Sequence, residues 1–504
     1  MKKIFLALAV IGGLLTSCDM DKSAFGALDD ETAIRQLSDV ESYSNQLYNS
    51  LRGKTAGEWL ILPEVQMDYF HGLINNGNNG GMFANANILS SDQDIESMWA
   101  SMYSTIASAN YIIEKIEGLQ SQEMDETTAL KMNRHYGEAL FTRAFCYVWL
   151  ADHFCQNYSE EAADTKALGL PLVTKYHPSS DRSSYPSRST LKETFKLIDD
   201  DLAKAHEALL AYKAVEAPTQ NDAYLNVYTV AALQARVALL KGDNATALAK
   251  AKEVIDSKVY ALTSIADYAN LWTIDQGTEV IFRPFMSNTE LGSSSSSAWY
   301  LTDNEQSAYY IPTFEVLNMY ESGDIRFSAF FTIYTNLQVN GESYQCYVFN
   351  KFPGNESLKT GTQRNFVNMT KPFRLSEMYL IAAEASAKND PATANKYLNE
   401  FLKNRIIGYT DQNYSGADLI NRIKDERKKE FIGEGYRMSD LRRWNQGFAR
   451  DAEHLENPAL NDIIIERGSD VSYSADDYRF VWPIPATEMQ SNPQLDGQQN
   501  PGYK

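Results

Sequence analysis

Apolar residues recur at steps of three and four along much of the chain, and that spacing predicts helices. Between Thr128 and Phe154, the residues Tyr136, Leu140, Ala144, Tyr147, Ala151 and Phe154 fall on one continuous stripe. Thr190 and Glu193 form a capping-box pair at the head of a second helix. That helix turns Leu191, Phe195, Ile198, Leu202, Ala205 and Leu209 inward. Two helical hairpins follow a shared design. In the first, Tyr228, Ala231, Ala235 and Ala238 make a small-residue face, Gly242-Asp243 breaks the helix, and Ala247, Leu248, Ala251, Val254 and Ile255 stripe the return. In the second, Leu375, Met378, Tyr379, Ala382 and Ala385 stripe one helix. Asn389-Asp390-Pro391 then supplies stop, cap and N1 proline, and Ala394, Leu398, Phe401 and Leu402 stripe the next.

Helical hairpins with small residues at the packing face resemble tetratricopeptide units. The expected fold is therefore mainly α, an α/α superhelix. Between the helices, Gly72 to Gly81, Cys155 to Arg188, Leu291 to Tyr310 and Asn445 to Tyr478 show no firm period. Connections this long are usually functional or mobile, so a ligand is sought there. The chain is too long for one simple core and suits two or three lobes.

The ends and the charge narrow the setting. Lys2 and Lys3 precede an apolar run from Ile4 to Leu15, shorter than the roughly twenty residues that span a bilayer and suited to a secretory signal. It leads to Leu15-Thr16-Ser17-Cys18, which resembles a bacterial lipobox. Residues 1–17 are thus expected to be a signal peptide, with lipidated Cys18 starting the mature chain and its acyl chains as the membrane attachment. Asp19 and Asp21 resemble a surface-export signal. The net charge of -20 argues against a nucleic-acid partner, which needs a basic face, and disfavours polyanionic ligands. Cys146, Cys155 and Cys346 have no CxxC spacing and read as small buried hydrophobes, with neither a disulfide framework nor a zinc site implied.

The C-terminal part carries the most specific pattern. Glu426-Arg427, Glu430-Phe431, Glu434-Gly435, Arg437, Asp440-Leu441 and Arg443-Trp444 match ER-x-x-EF-x-x-EG-x-R-x-x-DL-x-RW, and Trp482-Pro483-Ile484-Pro485 through Asn500-Pro501-Gly502-Tyr503 forms a closing motif. Arg374-x-x-Glu377, Trp99-x-x-x-Tyr103 ahead of Ala109-Asn110, Gly137-Glu138-Ala139 ahead of Arg143-Ala144, and Asp201-Leu202 also fit. By these residues the chain resembles the SusD/RagB family from end to end. The resemblance implies about four tetratricopeptide-like hairpins with a loop-rich second half. It divides the mature chain into an N-terminal region, 18–220, and a C-terminal region, 221–504, intertwined in one globular unit. It also implies an outer-membrane, outward-facing lipoprotein that binds oligosaccharide or polysaccharide and serves as a lid on a SusC-like TonB-dependent transporter. A peptide-binding, RagB-like receptor is the nearest alternative, and a secreted glycoside hydrolase a remote one.

The charges of the C-terminal motif recur at three and four and can pair along a helix. Arg374, Glu377, Arg427, Glu430, Glu434, Arg437 and Asp440 are therefore read as a structural ion-pair network, with no catalytic residue assigned. No HExxH, GxSxG or Walker A pattern occurs, and the six histidines show no ligand spacing, so neither metal nor cofactor is expected. A glycan site needs aromatic faces flanked by amides. Most of the 7 Trp fall on stripes or motifs; Trp59 and Trp299 do not. The candidate ligand contacts are Tyr69, His71, Asn78 and Phe83 in the first loop, with Trp299, Tyr300 and Tyr309 in the second.

Overall fold

The computed structural model describes residues 33–166, 168–213, 222–291, 307–361, 366–450, 454, 457–465 and 471–503. Cys18, Trp299 and Tyr300 lie outside the described residues.

The stripes become helices and bury the side chains that define them. Helices α1 (Leu37–Lys54) and α2 (Glu58–Val65) open the described chain. Then come α3 (Gln93–Gln120), α4 (Glu126–Phe154) and α5 (Leu191–Lys213). The expected capping box heads α5: the Thr190 N–H donates to Glu193 Oε2 at 2.9 Å, and the Glu193 N–H to Thr190 Oγ1 at 3.0 Å. The close approach of α4 and α5 explains Gly137, where a Cβ would lie 3.0 Å from that of Ala208. Arg143, Asn110 and Asp201 join beside it. Arg143 pairs with Asp201 at 2.6 Å and donates to Asn110 Oδ1 at 2.7 Å, so residues scattered in sequence form one buried cluster.

Both small-faced hairpins are present. Helix α6 (Val227–Leu240) turns through Gly242 at φ 73° into α7 (Asn244–Asp256), capped by Asp243 on the Thr246 N–H. Helix α8 (Leu375–Ala387) turns into α9 (Pro391–Leu402), capped by Asp390 on the Thr393 N–H. From α3 to α9 each helix packs on the next, including α7 on α8, so the two hairpins stack although a long segment separates them in sequence. The fold is mainly α. Helices α10 (Gly416–Glu430) and α11 (Arg437–Arg443) carry the C-terminal motif.

Among the described residues the strands form antiparallel pairs. β1 (Phe70–Gly72) pairs with β3 (Tyr310–Pro312), and β2 (Val280–Phe282) with β6 (Phe373–Arg374). β4 (Phe331–Val339) and β5 (Glu342–Phe349) form a hairpin, and β7 (Phe448–Arg450) pairs with β8 (Val471–Tyr473). The β4–β5 hairpin was not anticipated. Its turn is Asn340-Gly341, with φ of 51° and 89°, the dipeptide that best suits two consecutive left-handed residues. Cys146, Cys155 and Cys346 are free and buried.

Candidate functional site

The first loop expected to hold the ligand meets the described end of the second, residues 307–310. In the β1–β3 pair, Phe70 lies opposite Pro312, His71 opposite Ile311 and Gly72 opposite Tyr310. The register continues one residue further, where the Leu73 N–H donates to the Tyr309 carbonyl at 2.8 Å. A third segment completes the edge: Leu73 bridges Ile464, and the Ile74 N–H donates to the Ile463 carbonyl at 2.9 Å. The turn beyond is fixed internally. Asn76 Oδ1 accepts from the Asn78 N–H at 2.9 Å, and the Tyr310 hydroxyl donates to the Asn79 carbonyl at 2.5 Å. At this rim Ile74 is 48% exposed, Asn78 is exposed, and Asn75, Asn79 and Tyr309 are half-buried. Amides thus surround an apolar side chain, a composition that suits the alternating C–H faces and hydroxyls of a sugar.

Three of the sequence candidates are not at this surface. Tyr69, His71 and Phe83 are buried. Tyr69 points inward, its hydroxyl donating to the Lys428 carbonyl at 2.9 Å. His71 sits on a strand whose three residues are all buried. Phe83 packs edge-on against Trp482, ring centroids 5.3 Å apart. No helical stripe marks these residues, yet the paired strand and the C-terminal segment cover them. Tyr69→Phe is therefore expected to cost about 1 kcal/mol of stability by losing one hydrogen bond, read as a small fall in urea midpoint. A large loss of ligand affinity with unchanged stability would return Tyr69 to the site.

The C-terminal charges form a buried network centred on Glu430. Its carboxylate meets Arg374 at 2.9 Å, Arg405 at 3.0 Å and Arg326 at 3.5 Å. Glu279 bridges Arg374 at 2.6 Å and Arg405 at 2.8 Å. Glu434 joins Arg374 and Lys351, both at 2.6 Å. Arg326 also takes Asp324 at 2.6 Å and Glu426 at 2.5 Å. Alongside, Asp440 pairs with Arg427 at 2.9 Å and Arg443 at 2.8 Å. Arg437 and Lys428 close on Asp68 at 2.7 and 2.8 Å.

Glu377 departs from the expected pairing: it meets Arg236 of α6 at 2.7 Å, not Arg374. Arg374 caps α8 in extended conformation, φ -129°, and its guanidinium leaves the helix for Glu279, Glu430 and Glu434. Glu279, Arg326, Arg405 and Lys351 were not anticipated, because none sits in a motif or at a helical spacing from its partner.

Glu64 ties the N-terminal segment to the same motif, accepting from the backbone N–H groups of Gly433, Gly435 and Tyr436, the last two at 2.7 and 3.2 Å. Burial pushes its carboxyl up to about 8, with the Gly433 and Gly435 N–H groups opposing. These carboxylates are buried beside cations or N–H donors, a geometry for locking segments together. Among the described residues no group of three or more His, Cys, Asp or Glu side chains is placed to hold a metal ion. No described helix is long and apolar enough to cross a membrane.

Comparison with known proteins adds an independent line. A family model described as "SusD family" matches residues 332–503, and one described as "Starch-binding associating with outer membrane" matches residues 27–237. A SusD-like protein of Formosa agariphila is 22% identical, over 81% of this chain and 80% of its own. Among solved structures, a SusD superfamily protein of Bacteroides thetaiotaomicron is similar, with a TM-score of 0.76 and 25% identity, over 93% of this chain and 100% of its own. A SusD-like carbohydrate binding protein of Bacteroides vulgatus shares the fold at a TM-score of 0.72 and 19% identity, over 92% of this chain and 98% of its own.

Proposed function

This chain belongs to the SusD family, and from that premise we propose that it captures a neutral oligosaccharide or polysaccharide and passes it to a SusC-like TonB-dependent transporter, without chemistry of its own. The observation that supports the reading is the β1–β3 pairing, which sets Tyr309 beside the amide-rich turn of the first loop at the rim. Asn78 and Tyr309 contact the ligand from the described part of that rim, and Trp299 and Tyr300 from the adjoining segment. The family description supports a glycan and an outer-membrane setting, and the Bacteroides vulgatus neighbour is named for carbohydrate binding. Lipidated Cys18 holds the protein at the outer membrane, facing outward. The buried, paired state of the motif carboxylates supports a binding role over hydrolysis.

Affinity electrophoresis of the chain from Asp19 onward, through gels containing neutral and charged polysaccharides, tests this reading. Retardation by a neutral polymer is the expected result. Binding to peptides with no glycan retained would favour the peptide receptor, and release of reducing ends would make the protein a hydrolase. Trp299→Ala is expected to weaken glycan binding by about 1–3 kcal/mol, the range for aromatic stacking on ring ligands, with the melting temperature unchanged. Unaltered affinity would remove Trp299 from the site.

A further inference from the structure

A cavity of about 110 Å³ lies between the N-terminal helices, the α6 hairpin and the C-terminal motif, and shares no residue with the rim described above. Its apolar wall includes Trp59, Trp149, Phe145, Val148 and Leu233, with the Trp59 and Trp149 ring centroids 4.9 Å apart. The charged groups that line it are nearly all satisfied. Arg236 holds Glu377 at 2.7 Å, Lys371 holds Asp275 at 2.7 Å, and Arg443 and Arg427 hold Asp440 at 2.8 and 2.9 Å. Glu434 is held by Lys351 and Arg374, and Asp152 is balanced by Arg442 at 3.8 Å.

Lys54 is the exception. It is 8% exposed and lines the cavity. Among the described residues its ammonium has no hydrogen bond or ion pair, only the Trp59 ring at 5.7 Å. Cys146 does not compensate it, since burial pushes that thiol up to about 12 and keeps it neutral. Burial lowers the pKa of Lys54 as well, the response of a cation without a counter-charge.

We propose that this cavity binds a small aliphatic carboxylate, its carboxylate on the Lys54 ammonium and its chain between Trp59, Trp149 and Leu233. A buried cation without a partner is costly, and an anion that reaches it by a charge-assisted hydrogen bond recovers that cost. Size sets the rest. An engineered apolar cavity of about 150 Å³ holds benzene, so this smaller one suits a chain of a few carbons. Half-buried Leu60, Asp152 and Ser439 open its wall to solvent.

Titration of the purified chain with sodium butanoate, followed by calorimetry and by the emission of the three lining tryptophans, tests the site against butanamide as a neutral isostere. Butanoate is expected to bind at least about tenfold more tightly than the amide, the ratio a charged hydrogen bond supplies. Lys54→Met is expected to abolish that preference while keeping the melting temperature. Equal binding of acid and amide by the native chain, or no binding of butanoate at millimolar concentration, would overturn the proposal. That comparison needs no variant and holds even if Lys54→Met fails to fold.

Discussion

Glu430→Gln is expected to destabilise the protein by about 3–5 kcal/mol, the cost of removing one partner from a buried ion-pair cluster. The substitution keeps the shape and removes one charge. In the native chain that charge faces Arg374, Arg405 and Arg326, whose side chains are essentially unexposed. Glu279 and Glu434 each compensate part of the excess, and neither can reach all three guanidinium groups in the observed geometry. A carboxamide oxygen can still accept from one arginine, but its NH2 group then faces another donor. Because domains are stable by only about 5–15 kcal/mol, a loss of this size should appear as a clear fall in denaturation midpoint. A change under about 1 kcal/mol would show that water or local rearrangement compensates the arginines, and that the network is not held by its central carboxylate. Replacing Glu430 together with an arginine partner by apolar residues is expected to cost less than the single change, since no orphaned charge remains.

Acidification should remove stability on the order of several kcal/mol between about pH 5 and pH 2, the linkage of carboxylates paired only in the folded chain. Burial raises the Glu426 carboxyl, but Arg326, Lys429 and Arg422 outweigh it and hold the group at about 2. Burial likewise opposes ionisation of Glu430 and Asp68. Arg405 and Arg374 at the first, with Arg437 and Lys428 at the second, outweigh it and hold both carboxyls well below the usual range. In the unfolded chain these groups titrate near about 4. A folded value below the unfolded one gives stability that is whole above about pH 5 and is lost as the pH falls through the folded values. Glu64 and Asp94 act in the opposite sense. Burial raises them to about 8 and about 6, so their contribution is whole at low pH and is lost as the pH rises. Thermal melts from pH 3 to pH 9 should therefore peak on the mildly acidic side, with the steeper fall toward acid. A melting temperature flat down to pH 3 would contradict the paired state of these carboxylates.

What could be read in advance follows from the range of each interaction. Helices α4 to α9 were legible because each writes its own local period, and Thr190, Asp243 and Asp390 cap them from neighbouring positions. The network was legible only in part. Arg427 and Asp440 face each other across one bend, whereas Glu279 and Arg405 reach the same centre from segments without a repeat. The three-residue spacing of Arg374 and Glu377 does not make them a pair, because Arg374 stands at the helix cap with its side chain directed away. The rim was harder still. The sequence marked its segments only as irregular, aromatic and amide-rich loops. Strand β1 has only three residues, all buried, so no in-out alternation marks His71 as internal, and Tyr69 lies just before the strand. The Asn340-Gly341 turn was a usable signal for the β4–β5 hairpin.

The contacts of Glu64 have a consequence for the order of events during synthesis. Its N–H donors lie at Gly433, Gly435 and Tyr436, with the first bond closing a sequence separation of 369 residues. Strand β1 waits for β3 in the same way, and Ile74 waits for Ile463. Such non-local contacts slow folding, because loop-closure entropy must be overcome before they form. The N-terminal segment emerges first yet acquires its native surroundings last, so a nascent chain stays incomplete until its C-terminal motif is available. Truncation before residue 433 should therefore unsettle the opposite end of the chain.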